Sequence, residues 1–470
     1  MSPEPEDARM RTLGKTPCDY DATDAYIAAR MAAWTQELIE FCSIPSEAED
    51  SDGLRRARDW TMGRLHKLGC SVDSIGAEDA ATLVVGEIGE GRTVTCVQHY
   101  DVQPAAPLDL WTSPPYEPTI RDGALFARGA EDNKGEFLSR IWAIEAYLAV
   151  IGRPPCRIRF LVEGEEEIGS PHLPGYLDRR PGLRKSAGAL MEGGGIDDQE
   201  RPIIQCGIRG MLAVELTLRT IAYDGHSSLA ALLPNAAIRM SQAIASLFDT
   251  DGHASFAGLR DDVLPPTPEQ LELVDAIPDE LLDMLRHAFE IDRFVGARTG
   301  NEAKRTAIME PTCNVSGLWS GYTLAGIKTI TPAEAHARLD LRLVPDQDPD
   351  EVLDRLREHF QSHGFGELAV AKLAWGNRAY WSSPSSSIVE AAARALEAVW
   401  GSRPTILVTD PGTAPMWEIC AANGVPQADF GAAHSGSRAH APNESFRLDY
   451  AEKAVRSMVR FVDEFASSAG

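Results

Sequence analysis

A chain of 470 residues is too long for one ordinary hydrophobic core, so we expect two domains or one domain with a large insertion. With 44% apolar and 24% charged residues, the composition is that of a globular protein and not of a disordered or membrane-embedded one. The formal net charge of −25 argues against nucleic acid and anionic membrane surfaces as partners, because both need basic patches.

The amino-terminal segment and the cysteines indicate a cytoplasmic protein. Residues 1–17 alternate charged residues with proline and lack the apolar stretch of a signal peptide, so we expect a loose tail there. The eight cysteines occur singly, without a Cys-x-x-Cys pair, which disfavours a structural zinc ribbon or a disulfide framework. No apolar run reaches the roughly 18 residues that a membrane-spanning helix needs.

The first 208 residues alternate between helix-like and strand-like patterns. Apolar residues recur at helical spacing over residues 21–44 and again over 54–68, where Gly69 ends the pattern. Because strands that alternate with helices are typical of parallel sheets covered on both faces, we expect an α/β unit with a largely parallel sheet. Further strands are predicted over residues 82–88, 93–97, 156–162 and 189–191. A further helix is predicted over residues 135–151.

The pattern changes after Gly210. Residues 211–218 and 335–343 alternate apolar and polar side chains with period two, which predicts strands of a sheet with one open face. Helices predicted over residues 235–247 and 350–359 complete an α+β, ferredoxin-like module. A proline-rich, acidic excursion over about residues 250–305 interrupts it.

Beyond Trp375 the α/β pattern resumes. We therefore predict a discontinuous α/β domain formed by residues 1–208 and 376–470 and interrupted by an α+β domain of residues 209–375. The elements predicted in the last part are helices over residues 386–400, 415–422 and 448–466 and strands over 405–408 and 427–430.

Polar side chains follow the predicted strands of the α/β unit, at the sheet edge where sites are usually built. His99 follows an apolar strand, and Asp101 points the same way in an extended chain, so its carboxylate can support the imidazole as a metal ligand. A surface His-Asp pair is the alternative. Asp132 lies in a glycine-flanked turn before a helix, where an ordinary helix N-cap is the alternative.

Two further carboxylate positions repeat this arrangement. The run Glu165–Glu167 is bracketed by Gly164 and Gly169 after a buried strand, and Glu192 follows another strand. A solvated acidic run is the alternative, but buried carboxylates are costly unless they bind a cation. Carboxylates combined with imidazoles favour zinc, manganese or cobalt over calcium. Three histidines remain as candidates for a second imidazole: His226, His434 and His440.

Five motifs in this order resemble the M20 family of dinuclear metallopeptidases, which contains carnosinase-like dipeptidases, glutamate carboxypeptidase and aminoacylases. The resemblance extends from about residue 25 to the end of the chain. Residues 209–375, with Gly225-His226 and Arg342-Leu343-Val344-Pro345, resemble the lid and dimerisation domain of that family, which implies a homodimer. The five motifs are His99-x-Asp101, Asp132-Asn133-Lys134-Gly135, Glu166-Glu167-x-Gly169-Ser170, Glu192 and Ala439-His440-Ala441-Pro442-Asn443-Glu444.

The resemblance implies two divalent metal ions, with zinc expected and manganese or cobalt as alternatives. Asp132 would bridge both ions. His99 and Glu192 would complete one site, and Glu167 and His440 would complete the other. The family pattern also implies a cis peptide bond directly after Asp132.

The same resemblance implies roles around the metals. Glu166 would be the general base acting on a metal-bridging water, and Asp101 would orient His99. His226 would reach the site from the lid of the partner subunit and stabilise the oxyanion. A substrate carboxylate would be held by Arg342, Asn235, Gly412 and Thr413. For Arg342, the alternative is a solvated strand residue without a role in binding.

The expected function is hydrolysis of a peptide bond beside a free carboxylate, by a dipeptidase or small-peptide carboxypeptidase. An N-acyl-amino-acid deacylase is the alternative, because dipeptidases of the family usually have Asp where this chain has Glu192, while carboxypeptidases and deacylases usually have Glu. The expected substrate is accordingly a small peptide or an N-acyl amino acid. A non-catalytic metal-binding relative is disfavoured, since Glu166 and every expected ligand are present.

Overall fold

The computed structural model describes residues 18–76 and 82–468, so the predicted amino-terminal tail lies outside the described residues. Within these ranges no helix is long and apolar enough to cross a membrane. The helices are α1 (Tyr20–Cys42), α2 (Ser51–Leu68), α3 (Lys134–Ile151), α4 (Leu173–Arg179), α5 (Ala236–Ala245), α6 (Pro268–Asp275), α7 (Glu280–Ala288), α8 (Gly300–Met309), α9 (Pro349–Ser362), α10 (Ser387–Trp400), α11 (Met416–Cys420) and α12 (Leu448–Ser467).

The strands of the first part of the chain are β1 (Ser71–Ile75), β2 (Leu83–Ile88), β3 (Thr93–His99), β4 (Thr119–Arg121), β5 (Ala124–Phe126), β6 (Arg157–Glu163), β7 (Gly188–Met191), β8 (Gly195–Ile196), β9 (Ile203–Gln205) and β10 (Gly207–Ile208). Those of the remainder are β11 (Gly210–Arg219), β12 (Gly225–His226), β13 (Thr312–Ser320), β14 (Ile330–Thr331), β15 (Glu334–Leu343), β16 (Ala369–Asn377), β17 (Tyr380–Trp381), β18 (Thr405–Leu407), β19 (Gln427–Asp429), β20 (Ala433–His434) and β21 (Ser445–Arg447).

The larger sheet has eight strands in the order β1-β2-β6-β3-β7-β19-β9-β18. Its central strands β6, β3, β7 and β19 are mutually parallel, in agreement with the predicted α/β class. At one edge β1, β2 and β6 pair antiparallel. The connection from β1 to β2 is shorter than the dozen or so residues that a parallel crossover needs, so these two strands form a hairpin.

Both faces of the central strands are covered. All seven residues of β3 are buried. On one face β3 and β6 share a hydrophobic core with helices α1, α3, α10 and α12, in which Trp34 stacks on Trp142 at 5.5 Å between ring centroids. On the other face a second core joins the sheet to α4 and α11. Burial on both faces holds the carboxyl ends of β3, β6 and β7 at fixed positions along one edge.

The second sheet has four antiparallel strands in the order β13-β15-β11-β16 and its own hydrophobic core. With α5 and α9 packed on one face, the chain order is strand, helix, strand, strand, helix, strand, which is a ferredoxin-like arrangement. The excursion between α5 and β13 folds into α6, α7 and α8, helices that the sequence did not predict. The division at residues 208 and 375 stays a prediction.

The two passages of the chain between the sheets lie side by side. β10 pairs antiparallel with β17, so that Ile208 lies opposite Tyr380. Because β10 leads directly into the second sheet and β17 leads back from it, this short ribbon joins the two parts at one place.

Candidate metal centre

The predicted site residues meet at one edge of the larger sheet. β6, β3 and β7 are adjacent and parallel, so their carboxyl ends lie together. His99 is the last residue of β3, Glu192 directly follows β7, and Glu167 lies in a short turn after β6. Asp132 immediately precedes Asn133, the residue that caps the start of α3. The fold therefore brings carboxylates and an imidazole from four separate segments to one point.

Asp132 lies between two imidazoles. Its Oδ1 is 2.9 Å from Nε2 of His99, and its Oδ2 is 2.9 Å from Nε2 of His440. The peptide bond between Asp132 and Asn133 is cis, as the family pattern implied. Each carboxylate oxygen of Asp132 thus faces a different nitrogen, which is the arrangement that a bridging carboxylate needs.

One further carboxylate accompanies each imidazole. Glu192 Oε2 lies 3.2 Å from Nε2 of His99, and Glu167 Oε2 lies 3.2 Å from Nε2 of His440. These are the two groupings that the family resemblance implied. Ligand atoms of His99, Asp132 and Glu167 lie within 4.8 Å of one another, close enough to converge on a cation.

The chemistry of this cluster fits divalent cations. It combines two imidazoles with carboxylates that are buried or half-buried, and burying several anions together is costly unless positive charge compensates them. Mixed nitrogen and oxygen donors suit zinc, manganese or cobalt. The carboxylates of Asp132, Glu167 and Glu192 would contribute a charge of −3, and two divalent ions would contribute +4. The remaining positive charge would favour an additional anionic ligand, derived from water or from the substrate.

The pKa values of these groups depart strongly from their ordinary values when no metal neutralises them. Hydrogen bonds to Asp132 and Glu167 raise the pKa of His440 to about 10. Burial alone would lower the pKa of His99, but Glu192, Asp101 and Asp132 together raise it well above its usual range. Burial raises the pKa of Glu192 to about 8, although His99 opposes the shift. The neighbouring carboxylates thus favour positive charge at both imidazoles, and bound cations would supply that charge instead.

Asp101 supports two parts of the cluster at once. Its Oδ1 lies 3.3 Å from Nδ1 of His99, and its backbone carbonyl lies 3.0 Å from the same nitrogen. The carboxylate also accepts the backbone N–H groups of Glu166 and Glu167, at 3.3 and 3.0 Å. Asp101 therefore contacts Nδ1 of His99, the nitrogen that faces away from Asp132, and also holds the turn that carries Glu167. The sequence predicted only the first of these two roles.

Glu166 is half-buried and lies beside His99 and Glu192. Its ligand atoms form a second close group with those of His99 and Glu192. Burial, and then the charge of Glu192, raise the pKa of Glu166 well above its usual range. A carboxylate with a raised pKa next to the ligands is suited to accept and return a proton. Its assignment as general base stays a prediction.

Glu444 is a supporting residue whose role the sequence did not reveal. Its side chain is fully buried, and its Oε2 accepts a charge-assisted hydrogen bond from Arg128 Nη1 at 2.7 Å. The same carboxylate accepts the backbone N–H groups of Gly129, Glu131 and Asp132 at 2.8, 2.9 and 3.0 Å. The available signal was its place in the motif that carries His440.

Two more supporting contacts come from Gln103 and Lys134, to which the sequence analysis gave no role. The amide nitrogen of Gln103 donates to Glu167 Oε2 at 2.9 Å and its backbone N–H donates to Oε1 at 3.2 Å. The fully buried Lys134 donates to the backbone carbonyls of Phe41 and Ile44, so its ammonium fastens the start of α3 to the end of α1. Both contacts depend on residues far apart in sequence.

Of the three candidate histidines, only His440 joins the cluster within the described residues. His434 lies in β20, where its Nδ1 accepts the backbone N–H of Gly436 and its ring lies against Tyr450. His226 is exposed at the end of β12, and its Nδ1 pairs with Ser228. A role of His226 in the mechanism stays a prediction.

The predicted substrate-binding residues have different local contacts in the structure. Asn235 caps α5, since its Oδ1 accepts the backbone N–H groups of Ala237 and Ile238. Arg342 is half-buried in β15, and its charge lowers the pKa of the neighbouring Arg209, after burial, to about 10.

The turn after β18 carries a carboxylate, Asp410, that is influenced by the charge of Arg342. Gly412 donates its N–H to Asp410 and accepts the backbone N–H of Arg209 at 3.2 Å, and Thr413 next to it is half-buried. Burial raises the pKa of Asp410, and Arg342 opposes that shift. The turn therefore lies near Arg342, whereas Asn235 is engaged as a helix cap.

Comparison with known proteins agrees with this geometry. A model of peptidase family M20/M25/M40 matches residues 97–464. The human Beta-Ala-His dipeptidase is 27% identical over 464 residues, which cover 91% of this chain and 89% of that protein. The Cys-Gly metallodipeptidase dug1 of Schizosaccharomyces pombe is 27% identical over 459 residues, covering 92% of this chain and 95% of that protein.

A solved structure is similar over almost the whole chain. The M20 family metallo-carboxypeptidase of Sulfolobus solfataricus superimposes with a TM-score of 0.84 at 32% identity, covering 92% of this chain and 99% of that one. The matched residues 97–464 include His99, Asp132, Glu167, Glu192 and His440. This chain therefore belongs to peptidase family M20/M25/M40.

Proposed function

We propose that the protein is a dinuclear metal-dependent hydrolase that cleaves a peptide bond beside a free carboxylate, as a dipeptidase or small-peptide carboxypeptidase. The observation that carries this proposal is the placement of Asp132 between His99 and His440, each accompanied by its own glutamate. The relatives named Beta-Ala-His dipeptidase and Cys-Gly metallodipeptidase, and the metallo-carboxypeptidase, support the same class of reaction.

In this mechanism Glu166 and Asp101 have separate roles. When bound, the two cations would polarise the scissile carbonyl and make the attacking water more acidic. Glu166 accepts the proton of that water as the water attacks, and then returns the proton to the leaving amine, so that no net proton is gained or lost. Asp101 keeps His99 oriented throughout through its contacts with Nδ1.

The substrate class can be tested by a hydrolysis screen. Dipeptides, β-alanyl peptides and N-acetyl amino acids are compared as substrates, with zinc and manganese supplied separately to metal-free enzyme. The proposal expects turnover of unblocked dipeptides, and zinc as the ion that supports it. Turnover of N-acetyl amino acids alone would assign the protein as a deacylase instead.

The role of Glu166 can be separated from that of a ligand. Glu166→Gln keeps the size of the side chain but removes the proton acceptor, so kcat should fall by about 10²–10⁴-fold while both ions remain bound. The ions are counted by elemental analysis after gel filtration. Loss of an ion from this variant would make Glu166 a ligand, which its proximity to His99 and Glu192 would also permit.

We propose that the protein forms a homodimer in which His226 acts in the site of the partner. His226 is exposed, its Nδ1 is engaged by Ser228, and the β12–β14 ribbon that carries it is flanked by exposed apolar side chains. A contiguous patch of exposed apolar side chains is typical of a surface that another protein covers. They include Tyr223, Leu232, Leu324 and Ile327.

Complementation between two inactive variants tests this arrangement. His226→Ala and Glu166→Gln are each expressed alone, then mixed and allowed to exchange subunits. If His226 acts across the dimer, the site that retains Glu166 receives a functional His226 from the other subunit, and activity returns. If His226 acts within its own chain, the mixture stays as inactive as its components.

Recognition of the substrate carboxylate is assigned to Arg342, supported by its half-buried place beside the Gly412 turn. Arg342→Met should raise KM by roughly 10–100-fold, because a charged hydrogen bond is worth about 1.5–3 kcal/mol. The matched control is Arg338→Met, on the same strand and the same face but paired with Glu215. Equal effects of both substitutions would remove Arg342 from substrate recognition.

We also propose a cytoplasmic location, which rests on the composition of the chain. The eight cysteines, all within the described residues, are free thiols. Fractionation of cells that produce the protein at its natural level tests this location directly.

A further inference from the structure

A buried ion pair lies on the helix that follows Asp132. Glu136 and Arg140 are one turn apart in α3, both are fully buried, and Arg140 Nη1 donates to Glu136 Oε2 at 2.8 Å. The mechanism gives neither residue a task. A buried ion pair is costly unless further hydrogen bonds satisfy it, so the partners of its remaining atoms indicate what the pair does.

The remaining hydrogen bonds go to two turns at the carboxyl edge of the sheet. Arg140 Nη2 donates to the backbone carbonyl of Phe430 at 2.6 Å and lies 3.5 Å from that of Gly193. Glu136 Oε1 accepts the backbone N–H of Ala432. Gly193 directly follows Glu192, and Phe430 directly follows β19, the neighbour of β7. The ion pair therefore joins α3 to the turn that carries Glu192.

These two turns are packed closely against each other. A Cβ atom on Gly194 would lie 2.2 Å from the Cα of Phe430. A Cβ atom on Gly431 would lie 2.3 Å from the carbonyl oxygen of Gly193 and 2.4 Å from Oε1 of Glu136. The absence of Cβ atoms at Gly194 and Gly431 thus lets the Glu192 turn, the turn after β19 and the Glu136 carboxylate pack in direct contact.

We propose that Glu136 and Arg140 form a positioning pair that fixes Glu192 relative to Asp132 and His99, and thereby sets the affinity of one of the two metal sites. The inference rests on the proposed role of Glu192 as a ligand. The other site is supported differently, because Gln103 holds Glu167. Loss of the pair should therefore weaken the His99–Glu192 site and leave the Glu167–His440 site unchanged.

The test replaces both charges together, by Glu136→Leu with Arg140→Met, since apolar replacement of a whole buried pair is often tolerated by the fold. Metal is titrated into the metal-free dimer under buffered free zinc. The expected result is one ion bound with wild-type affinity and a second whose dissociation constant rises by about 10–100-fold. Excess zinc should restore kcat, which it would not do for a merely unfolded fraction.

The chain offers a matched control pair. Arg159 donates to Glu87 Oε1 at 2.6 Å and to the backbone carbonyls of Leu183 and Lys185 at 3.0 and 2.9 Å, so it too joins a glutamate to a turn. That turn carries no proposed ligand. Glu87→Leu with Arg159→Met should leave the affinities of both ions unchanged, whatever it does to stability.

Three outcomes separate the possibilities. Wild-type affinity for both ions in the Glu136→Leu, Arg140→Met variant would overturn the inference, and so would an equal weakening of both sites. If that variant does not fold, Arg140→Lys takes its place, because lysine keeps the charge but cannot reach Glu136 and both carbonyls together; it must then show the same selective loss. If the wild-type protein binds fewer than two ions per chain, that result would instead contradict the proposed function.

Discussion

The carboxylate of Glu444 accepts the backbone N–H of Asp132 at 3.0 Å, although 312 positions separate the two residues in the chain. Glu444 also receives Arg128 and two further backbone N–H groups, so a single buried side chain holds the whole turn that presents Asp132. The position of the proposed bridging ligand thus depends on the last part of the sequence.

Substitution of Glu444 should therefore damage both stability and metal binding. Glu444→Gln leaves the buried Arg128 without its counter-charge, and breaking a buried ion pair costs about 3–5 kcal/mol. Urea denaturation should show a loss of this size in the free energy of unfolding, and elemental analysis should show fewer than two ions per chain. Glu397→Gln, on the exposed side of α10, is the control and should change neither quantity.

Asp101 provides a second prediction. Asp101→Asn keeps the shape of the side chain but weakens its hold on His99 Nδ1 and on the backbone of Glu167. Removal of such a supporting carboxylate typically costs 10–100-fold in metal affinity or activity. We expect kcat/KM to fall by about that factor. An unchanged kcat/KM would show that His99 and the Glu167 turn need no support from Asp101.

The pKa shifts predict that metal binding releases protons. In the metal-free protein the pKa of His440 is raised to about 10, so this imidazole carries a proton at pH 7, and the pKa of His99 is raised well above its usual range. A cation can bind only the neutral imidazoles, so affinity should increase as the pH rises from 7 towards 10. Calorimetric titration with zinc in buffers of different ionisation enthalpy measures the released protons directly. Identical heats in all buffers would contradict the shifts.

Two neighbouring glycines separate backbone strain from steric blockage. Gly193 and Gly194 both have positive φ, 81° and 86°, but only at Gly194 would a Cβ atom meet neighbouring backbone. Gly193→Ala should cost about 1–2 kcal/mol of stability from the left-handed conformation alone. Gly194→Ala should cost about 1–3 kcal/mol more, from the forced displacement of Phe430. Equal losses in urea denaturation would show that the turn can widen freely.

Much of the site could be predicted from local sequence because its ligands stand at the ends of strands. His99 and Glu192 each follow an apolar strand, and the structure places those strands side by side. The class of the fold was likewise visible in the alternation of strand and helix. The family resemblance added the pairing of His440 with Asp132, which no local pattern contains.

Other features could not be predicted because they depend on contacts between distant segments. The antiparallel pairing of β1 and β2 follows from a short connection and not from the strands themselves. In the acidic excursion, α7 carries Leu281, Leu282 and Leu285 at helical spacing, but the proline-rich, acidic composition around it obscured this pattern. The sequence pattern around Glu444 and Arg140 does not show that both charged side chains are fully buried in the fold.

The measurement that tests the central claim most directly is the metal content of Asp132→Ala. The two oxygens of Asp132 face different imidazoles, so removal of this one carboxylate should empty both sites. The variant and the wild-type protein are loaded with zinc, passed through gel filtration and analysed for zinc per chain, with circular dichroism to verify the fold. The account predicts two ions for the wild type and none for the folded variant; a folded variant that keeps both ions would contradict it.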